Sequence, residues 1–569
     1  MAAIASVGRM EGSGSELGEG GSEGEDHEDG EVPAGKTAAV DVARGREAFE
    51  AFYTAQELCD EEDWRLSLEL LRRPLPPTFR LQRSAGGGRG GAAAAAVELA
   101  RTRALLEELH TWRPEEVPWC AGAYRLCAQS AAAGPDGQCD TALNRVLLAA
   151  QRAGLISRQE SASMLPVVAL GIEPHHRVLE LCAAPGSKTM QILDALHQGV
   201  SDSVAAEATS SGLLVANDYK EVRLNMVIER ARRAPAAPLL VTCADGRTFP
   251  SLNSGLLDET QGVGSGSLGF DRVLCDVPCS GDGTVRKALG LLSQWTPQAV
   301  AAHHGMQLAI LQRGLELLAP GGMLAYSTCA LSPVECEAVV ATALWESRGS
   351  LETVPVDVPG LRTAPGVVEW KVPAPAAIGT NPSQELYGSW SEVPAAEKQA
   401  SYLRRSMFPP GAYVGSDEAA AQLGFQLRRC ARLLPAHDEG GGGFFVALLR
   451  RREDSVASGG AIGSGADGVA RLRRGDAVLI RSSGRRAIVR EPRSRGAFSG
   501  RALVATSRSF DTRAGRIRGR EQLPHRPRGL GGMGRGCGIW PHSGAPSGGR
   551  SCRRRHWRRR RRRRRRRGG

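Results

Sequence analysis

Short apolar runs alternate with stretches of helical length through the middle of this chain, from about residue 155 onward. Five runs each end in a small or polar residue: RVLEL, LLVAND, LLVTCADG, FDRVLCDVP and MLAYSTC. Between them lie stretches such as KTMQILDALH, EVRLNMVIERARR and HHGMQLAILQRGLELL. Strands that alternate with helices of this length form a doubly wound, mostly parallel sheet. The pattern therefore predicts an α/β fold whose ligand binds beyond the carboxyl ends of the strands.

The segments on either side of this region complete the predicted architecture. FQLRRCARLLPAHD and GGGGFFVALLRR read as two strands joined by a glycine turn, which predicts an antiparallel edge to the sheet. Upstream, two short helices are followed by the strand-like TFRLQR, by GGGRGGAAAAA, interpreted as an inserted loop, and by the helix VELARTRALLEELHTW. We therefore predict a small N-terminal α+β region at 46–140 and a large α/β domain at 141–452.

The two ends of the chain carry opposite charges. The net charge of the 569 residues is +12, but residues 451–569 hold 34 arginines against seven acidic residues, which leaves −15 for residues 1–450. Both the acidic, glycine-rich segment 1–45 and the Arg/Gly-rich segment 453–569 have few large apolar residues, so we predict that they are disordered. The ten arginines from Arg558 to Arg567 fit an RNA-binding or nuclear-import segment, or a tail without function.

Several classes of protein do not fit this composition. No apolar run approaches the 18 to 20 residues that a membrane span needs, and the first residues do not resemble a secretory signal. The thirteen cysteines include no C-x-x-C pair, which argues against a zinc ribbon or a disulfide framework. We expect a soluble intracellular protein with reduced thiols, without a metal and without a membrane partner.

Polar residues follow the first three strands of the predicted sheet. LELCAAPGSKTMQIL places a glycine-containing turn and a helix start after the first strand, which suits a nucleotide-type ligand, although it is neither G-x-G-x-x-G nor a P-loop. Asp218 ends the second strand, where a carboxylate often binds a ribose diol, and Asp245 ends the third. The alternatives are a tight structural turn with a solvated Lys188, a helix cap at Asp218 and an ordinary Asp-Gly turn at Asp245.

Two cysteines follow the fourth and fifth strands. DVPCSG places Asp276 and Cys279 at the rim of the sheet, and YSTC places Cys329 at the end of the neighbouring strand. A thiol that faces a cleft near a positive charge becomes a reactive thiolate, whereas the alternative for each cysteine is simple packing. Cys275 and Cys243, inside strands, are expected in the core.

CAAPGSKT, DVPCSGDGT and YSTC, in this order and spacing, resemble the Nop2/Sun family of RNA cytosine-5 methyltransferases. The resemblance extends from about Phe49 to Arg450. The outer segments REAFEAFYTAQE, RRPLPPTFRLQR, ISRQESASMLP and RRSMFPPG are similar to the eukaryotic subgroup that methylates several cytosines in tRNA. The structured C-terminal accessory region of that subgroup is not recognisable after Arg452.

This resemblance implies a Rossmann-like, S-adenosylmethionine-dependent methyltransferase sheet with an N-terminal RNA-binding region. It implies an enzyme that forms 5-methylcytosine in RNA, with tRNA as the expected substrate and ribosomal RNA or mRNA as alternatives. A non-catalytic RNA-binding scaffold with the same fold is the alternative from another class. We expect a monomer in the nucleus, including the nucleolus, or in the cytoplasm.

The resemblance also implies a role for each matching residue. Cys329 would attack C6 of cytosine, Cys279 would assist release of the product, Asp276 would bind the N3/N4 edge of the base, and Lys188 would contact the substrate or tune the electrostatics. The cofactor would lie across Cys182, Ala183, Ala184, Pro185, Gly186, Ser187 and Lys188. Asp218 would hold the ribose hydroxyls, Asp245 would lie by the adenine, and Asp276 would lie near the methionine end.

Overall fold

The structure is a computed structural model. It describes residues 36–82, 91–126, 141–197, 212–232, 239–251, 269–375, 385–400, 402–438 and 440–452, together with the backbone of three later strands within 479–506. The chain divides into two units, residues 1–513 and 514–569, and all described residues belong to the first. Most of the two predicted disordered ends, including the arginine run, lies outside the described residues.

The described residues form eleven α-helices and eighteen strands. The helices are α1 (Lys36–Thr54), α2 (Glu61–Leu71), α3 (Gly91–Glu108), α4 (Thr141–Arg152), α5 (Leu165–Ala169), α6 (Ser187–Leu196), α7 (Glu221–Ala231), α8 (His304–Leu317), α9 (Glu337–Glu346), α10 (Ala395–Ala400) and α11 (Asp417–Leu427). The strands are β1 (Thr78–Leu81), β2 (Pro114–Glu116), β3 (Ala123–Leu126), β4 (Ile156–Arg158), β5 (Arg177–Glu180), β6 (Leu213–Asp218), β7 (Leu239–Cys243), β8 (Phe270–Asp276), β9 (Leu318–Thr328), β10 (Leu351–Val354), β11 (Ala364–Pro365), β12 (Val372–Pro373), β13 (Leu386–Tyr387), β14 (Ala431–Leu433), β15 (Phe444–Arg451), β16 (Leu479–Ser483), β17 (Arg486–Arg490) and β18 (Ala502–Thr506).

The large sheet confirms the predicted α/β class. Strands β7, β6, β5, β8 and β9 are parallel neighbours in that order, and β15 pairs antiparallel with β9. The two strands predicted on either side of the glycine turn are β14 and β15, which pair antiparallel with each other beside β9, and the two-residue β11 lies beyond β14. At the other side of the sheet β18 pairs with β7, so three short strands occur within the segment predicted to be disordered.

Helices cover both faces of this sheet. Val273 and Leu274 are adjacent in β8 and fully buried, but they pack in different clusters because successive side chains of a strand point to opposite faces. Val273 packs with residues of α8 and α9, such as Leu311. Leu274 packs with residues of α6 and α7, such as Met190. This doubly covered sheet explains why its strands read as continuous apolar runs.

A second, antiparallel sheet of order β2-β3-β1-β4 forms the small α+β region. Its core joins Phe79 of β1 to apolar residues of α3 and α4, including Leu105 and Leu143. The region reaches β4 and so extends beyond the predicted boundary at residue 140. The alanine run predicted as a loop forms the start of α3 instead, since alanine has the highest helix propensity.

Helix α1 packs against the segment of the chain that follows the Cys279 loop. It begins at Lys36, inside the segment predicted to be disordered. Phe49, Phe52 and Tyr53 pack with Leu292 and Val300 in one buried cluster. This packing orders the end of a helix that could not bury those rings alone. In the described part of the chain, no helix combines the length and apolar character that a membrane crossing requires.

Candidate active site

The two predicted thiols meet at the carboxyl ends of β8 and β9. The sulfur atoms of Cys279 and Cys329 lie 3.2 Å apart, and both residues are partly exposed. The amide of Val277 donates to the carbonyl of Ser327 at 3.1 Å, and the amide of Gly283 donates to the carbonyl of Cys329 at 2.9 Å. These two backbone bonds extend the pairing of the strands into the loops, so the cysteines are held side by side.

The environment of Cys279 favours its protonated form. Its hydrogen bond with Cys329, followed by burial, raises the pKa of the Cys279 thiol well above the ordinary value. Cys275 is fully buried, as expected of a core residue, and burial raises its pKa as well. Cys243 was expected in the core but is partly exposed. The side of β7 that carries Cys243 faces the loop after β6, and its sulfur donates to the carbonyl of Tyr219 in that loop at 3.6 Å.

Lys188, Asp276 and Ser327 form a hydrogen-bonded group beside the thiols. Nζ of Lys188 donates to one carboxylate oxygen of Asp276 at 2.7 Å, and the Ser327 hydroxyl donates to the other at 2.7 Å. The Lys188 ammonium also lies 5.3 Å from the ring centroid of Phe444, a cation–π distance. The side chains of Lys188 and Asp276 remain 11% and 26% exposed, so a base that enters the cleft can reach the carboxylate.

The loop from Cys182 to Lys188 connects β5 to α6 and contacts the end of β6. The amide of Ala184 donates to Asp218 Oδ2 at 3.1 Å. Gly186 has a φ of 97°, and a Cβ added there would lie 3.2 Å from Cα of Val227. A glycine is therefore required for the left-handed turn that brings the loop against α7.

Asp218 and Asp245 both lie at this edge of the sheet, but they differ in their partners. Asp218 accepts from the backbone amides of Ala184 and Lys220, which fixes the carboxylate against the loop. Asp245 instead accepts from its neighbour Arg247 at 2.6 Å, and this hydrogen bond lowers the pKa of Asp245. The carboxylate at the end of β6 is thus the one joined directly to the predicted cofactor loop.

Residues that the sequence did not single out hold the loop around Cys279. Glu335 accepts from the backbone amide and the hydroxyl of Ser280 at 2.9 and 2.6 Å. Gln307 donates to the carbonyl of Pro278 at 2.9 Å and to Glu335 at 3.1 Å. Burial raises the pKa of Glu335 well above its usual range. No local spacing could have indicated Glu335, since it lies 55 residues from Ser280 along the chain.

The glycine turn before β15 also belongs to the site. Glu160 pairs with Lys287 and accepts from the amide of Gly442 at 2.7 Å. The amide of Gly443 donates to the carbonyl of Gly283 at 2.8 Å. The sequence predicted this turn as a strand connection, whereas the structure packs it against the loop that supports both thiols.

The donor set at this edge fits S-adenosylmethionine. The cofactor offers a ribose diol, an α-ammonium group and a sulfonium charge, and carboxylates can receive all three. Asp218 ends β6 and Asp276 ends β8, the two strands on either side of β5. The Asp218 carboxylate is buried against the loop, and the Asp276 carboxylate is partly exposed. Asn217 donates to the carbonyls of Leu181 and Ala244, which ties the ends of β5, β6 and β7 together around the loop.

Elsewhere in the described residues, Glu173, His175 and His176 offer ligand atoms within 4.8 Å of one another. This group precedes β5 and so lies at the opposite end of that strand from the cofactor loop. Nδ1 of His176 accepts from the amide of Glu173 at 2.9 Å. Burial and then the charge of Arg272 lower the pKa of His176, and that positive charge also opposes a bound cation.

Comparison with known proteins identifies the family. The family model described as 16S rRNA methyltransferase RsmB/F matches residues 167–366. The tRNA (cytosine(49)-C(5))-methyltransferase of Pyrococcus abyssi is 30% identical over 312 residues, which cover 55% of this chain and 82% of that protein. This chain belongs to the Nop2/Sun (RsmB/F) family.

Eukaryotic Nop2/Sun relatives are also similar to this chain. The tRNA (cytosine(34)-C(5))-methyltransferase of Drosophila melanogaster is 36% identical over 411 residues, 69% of this chain and 51% of that protein. The multisite-specific tRNA:(cytosine-C(5))-methyltransferase of Saccharomyces cerevisiae is 36% identical over 343 residues, 58% of this chain and 48% of that protein. The chain thus spans about half the length of these two relatives.

The Nop2/Sun family model covers most of the candidate site described above. Residues 167–366 include the loop from Cys182 to Lys188, the aspartates at the strand ends and both thiols. Glu160 and the turn at Gly442 and Gly443 lie outside the matched range. These residues contact the site through tertiary contacts of the folded chain.

Proposed function

We propose that this Nop2/Sun chain is an S-adenosylmethionine-dependent RNA methyltransferase that forms 5-methylcytosine, with tRNA as its substrate. The observation that carries the proposal is the 3.2 Å separation of the Cys279 and Cys329 sulfurs, beside the Lys188–Asp276 pair. Two thiols that reach one base suit an addition–elimination reaction, because one can attack while the other assists release. The Drosophila, yeast and Pyrococcus relatives are tRNA cytosine-5 methyltransferases, which supports the same chemistry on tRNA here.

C5 of cytosine does not take a methyl group unaided, because it is too poor a nucleophile. A side chain of the protein must therefore add to C6 first. The thiolate of Cys329 adds to C6, which makes C5 enamine-like. S-adenosylmethionine supplies the methyl group. A base then accepts the C5 proton, and the electron pair of that C–H bond re-forms the C5–C6 double bond as the Cys329 thiolate is expelled. The raised pKa of the Cys279 thiol supports its assignment to the second stage, because a protonated thiol is a poor attacking group.

Asp276 and Lys188 receive and polarise the base in this proposal. The open side of the Asp276 carboxylate accepts from the N4 amino group of cytosine, and from N3 once that nitrogen is protonated, which favours protonation of the ring as C6 is attacked. Lys188 holds the carboxylate through the 2.7 Å bond, and Ser327 holds its other oxygen. Because both donors are fixed by the fold, the carboxylate is preorganised for the attacked base.

The cofactor is assigned to the loop from Cys182 to Lys188. Asp218, already joined to the amide of Ala184 at 3.1 Å, is proposed to accept from the ribose hydroxyls. Asp245 is proposed to lie near the adenine, and Asp276 near the methionine end. The bond between Ala184 and Asp218 keeps the loop and the carboxylate in register for one ligand.

The RNA must present an unpaired or flipped cytosine, since both thiols are only partly exposed. We assign RNA contacts outside the cleft to the small sheet and its helices α3 and α4. A folded RNA such as tRNA suits this division, because RNA is recognised mostly by shape and by unstacked bases.

Ribosomal RNA is the second candidate substrate. The family model is described as a 16S rRNA methyltransferase, and the ribosomal RNA small subunit methyltransferase F of Serratia proteamaculans is 34% identical over 259 residues. An RNA-binding scaffold without activity is the alternative from another class. The four side chains Lys188, Asp276, Cys279 and Cys329 in one cleft favour the enzyme.

The decisive experiment incubates the full-length chain with S-adenosylmethionine and either total tRNA or ribosomal RNA, followed by bisulfite sequencing. Adducts are followed by denaturing electrophoresis. Cys279→Ala is expected to accumulate a covalent protein–RNA adduct, and Cys329→Ala to form none. Cys59→Ala is the matched control, because its partly exposed thiol lies outside the site, and it should behave as the parent chain.

A reversed dependence on the two cysteines would reassign the nucleophile. Methylation confined to ribosomal RNA would replace the substrate, and cofactor binding without methyl transfer to either RNA would favour the scaffold. We also propose a monomer that resides in the nucleus, supported by the Arg558–Arg567 run. Light scattering of the purified chain, and microscopy of fluorescent fusions with and without this run, test those two proposals.

A further inference from the structure

We propose that Cys279 and Cys329 form a site of reversible oxidative modification, in which hydrogen peroxide joins the two thiols as a disulfide and switches the enzyme off. The loss of activity rests on the proposed function, because that function needs both thiols free. Formation of the disulfide itself does not depend on it.

The separation of the sulfurs sets this pair apart from the other described cysteines. At 3.2 Å they are closer than two non-bonded sulfur atoms normally pack, and a disulfide needs about 2.05 Å. The two sulfurs must therefore approach each other by about 1.2 Å for the bond to form. Both residues are partly exposed, whereas Cys120, Cys275, Cys336 and Cys430 are buried.

The loops that carry the thiols are held together on both sides. Gly283 donates to the carbonyl of Cys329, and Val277 donates to the carbonyl of Ser327. Glu335 holds Ser280, the residue after Cys279, through two hydrogen bonds. The sulfurs therefore have a high effective concentration for each other, and closure costs little backbone rearrangement.

The reaction proceeds in two balanced steps. The Cys329 sulfur attacks one oxygen of hydrogen peroxide, the O–O bond breaks, and Cys329 becomes a sulfenic acid with release of one water. The Cys279 sulfur then attacks the sulfenic sulfur, its proton leaves with the hydroxyl as a second water, and the S–S bond forms. Two thiols are oxidised and one peroxide is reduced to two waters. A dithiol reductant returns both thiols by exchange.

Cys329 is the thiol that peroxide meets first. Susceptibility to oxidation follows thiolate character; Cys329 is the proposed nucleophile, and the hydrogen bond between the two thiols raises the pKa of Cys279. Cys279 then serves as the resolving thiol, which intercepts the sulfenic acid before a second peroxide converts it irreversibly to sulfinic acid. The disulfide thus protects Cys329 from irreversible oxidation while the enzyme is inactive.

The test exposes the full-length reduced chain to hydrogen peroxide, blocks free thiols with iodoacetamide and maps tryptic peptides without reduction. The cross-link is expected between peptides 273–286 and 314–348, and fragment spectra should assign it to Cys279 and Cys329 rather than to Cys275 or Cys336. RNA methylation should fall by more than about tenfold and recover with dithiothreitol. Cys59→Ala, the matched control, should keep the cross-link.

The variant Cys279→Ser supplies a readout that needs no activity. Its Cys329 should accumulate sulfinic acid that dithiothreitol does not remove, whereas the parent chain should not. Recovery of both peptides without a cross-link, or a cross-link to another cysteine, would overturn the inference while leaving methylation intact. A cross-link in a chain that methylates no RNA would support formation of the disulfide and refute the proposed function.

Discussion

Lys188 donates a 2.7 Å hydrogen bond to Asp276, across the 88 residues that separate them in the chain. The Lys188→Met variant removes the cation from a carboxylate that must receive the base, so we expect methylation to slow by roughly 100-fold. Lys188→Arg should recover part of the rate, because it keeps the charge but not the geometry. Single-turnover methylation measures both. Lys371→Met, an exposed lysine, is the control, and a Lys188→Met rate within threefold of the parent would contradict the assignment.

Asp218 and Asp245 should differ in their effect on cofactor affinity. Asp218→Ala removes the acceptor for the Ala184 amide as well as the proposed ribose contact, so calorimetry should show S-adenosylmethionine binding weakened by about 10 to 100-fold. Asp245→Ala should cost less, because the Asp245 carboxylate is engaged by Arg247. Equal losses for the two variants would indicate that Asp245 turns from Arg247 to the cofactor.

Gly283 lies where no side chain fits. A Cβ there would be 2.4 Å from the carbonyl oxygen of Gly443 and 2.7 Å from that of Cys329. Gly283→Ala should therefore lower the free energy of unfolding by about 1 to 3 kcal/mol and impair methylation.

Gly305, in helix α8, has no atom within 4 Å of an added Cβ and provides the control. Gly305→Ala should raise the free energy of unfolding by about 0.5 to 1 kcal/mol, because glycine is a poor helix former. Urea denaturation compares the two variants. A Gly283→Ala chain as stable and active as the parent would show that the two loops can separate without cost.

His304 should make stability depend on pH. Nδ1 of His304 donates to the carbonyl of Val334 at 2.8 Å, and Nε2 accepts from the Ser406 hydroxyl at 2.9 Å. Burial lowers the pKa of His304 to about 4, against about 6.5 in an unfolded chain. Between these values the unfolded chain binds a proton that the folded chain does not, so this contribution is fully present above pH 6.5 and is lost as pH falls to 4.

The expected loss for this one group is about 3 kcal/mol between pH 7 and pH 4. Urea denaturation at several pH values should show a smaller decline for His304→Gln, whose side chain offers one donor and one acceptor but does not titrate. His176 and His303, whose pKa values burial also lowers, should leave a residual decline in both chains. An unchanged pH dependence in His304→Gln would exclude His304 as its source.

The order and type of the central elements were predictable from the sequence, because strands buried on both faces must be apolar along their length. Each polar residue at a strand end, such as Asp218 and Asp276, could then be placed at one edge. The start of α3 and the extension of the small sheet to β4 were not predicted. The glycines that precede the alanine run favoured a loop although alanine itself favours a helix, and β4 is only three residues long.

The active site, like the fold, could be predicted only in part from the sequence. Motif spacing brought Lys188, Asp276, Cys279 and Cys329 to the strand ends, but it could not assign their contacts. Glu335 supports the Cys279 loop through a long-range contact. Glu160 and the Gly442 turn meet 282 residues apart in the chain, and no local period records such a meeting.

The sequence by itself determined the sheet, the edge at which ligands bind and the residues that reach it, because these depend on the alternation of apolar and polar side chains along short segments. Only the tertiary structure decided that the two sulfurs lie 3.2 Å apart and that the contact with Cys329 raises the pKa of the Cys279 thiol. Those properties depend on the register between β8 and β9, on hydrogen bonds between distant loops and on burial, and each of these exists only when the chain is folded.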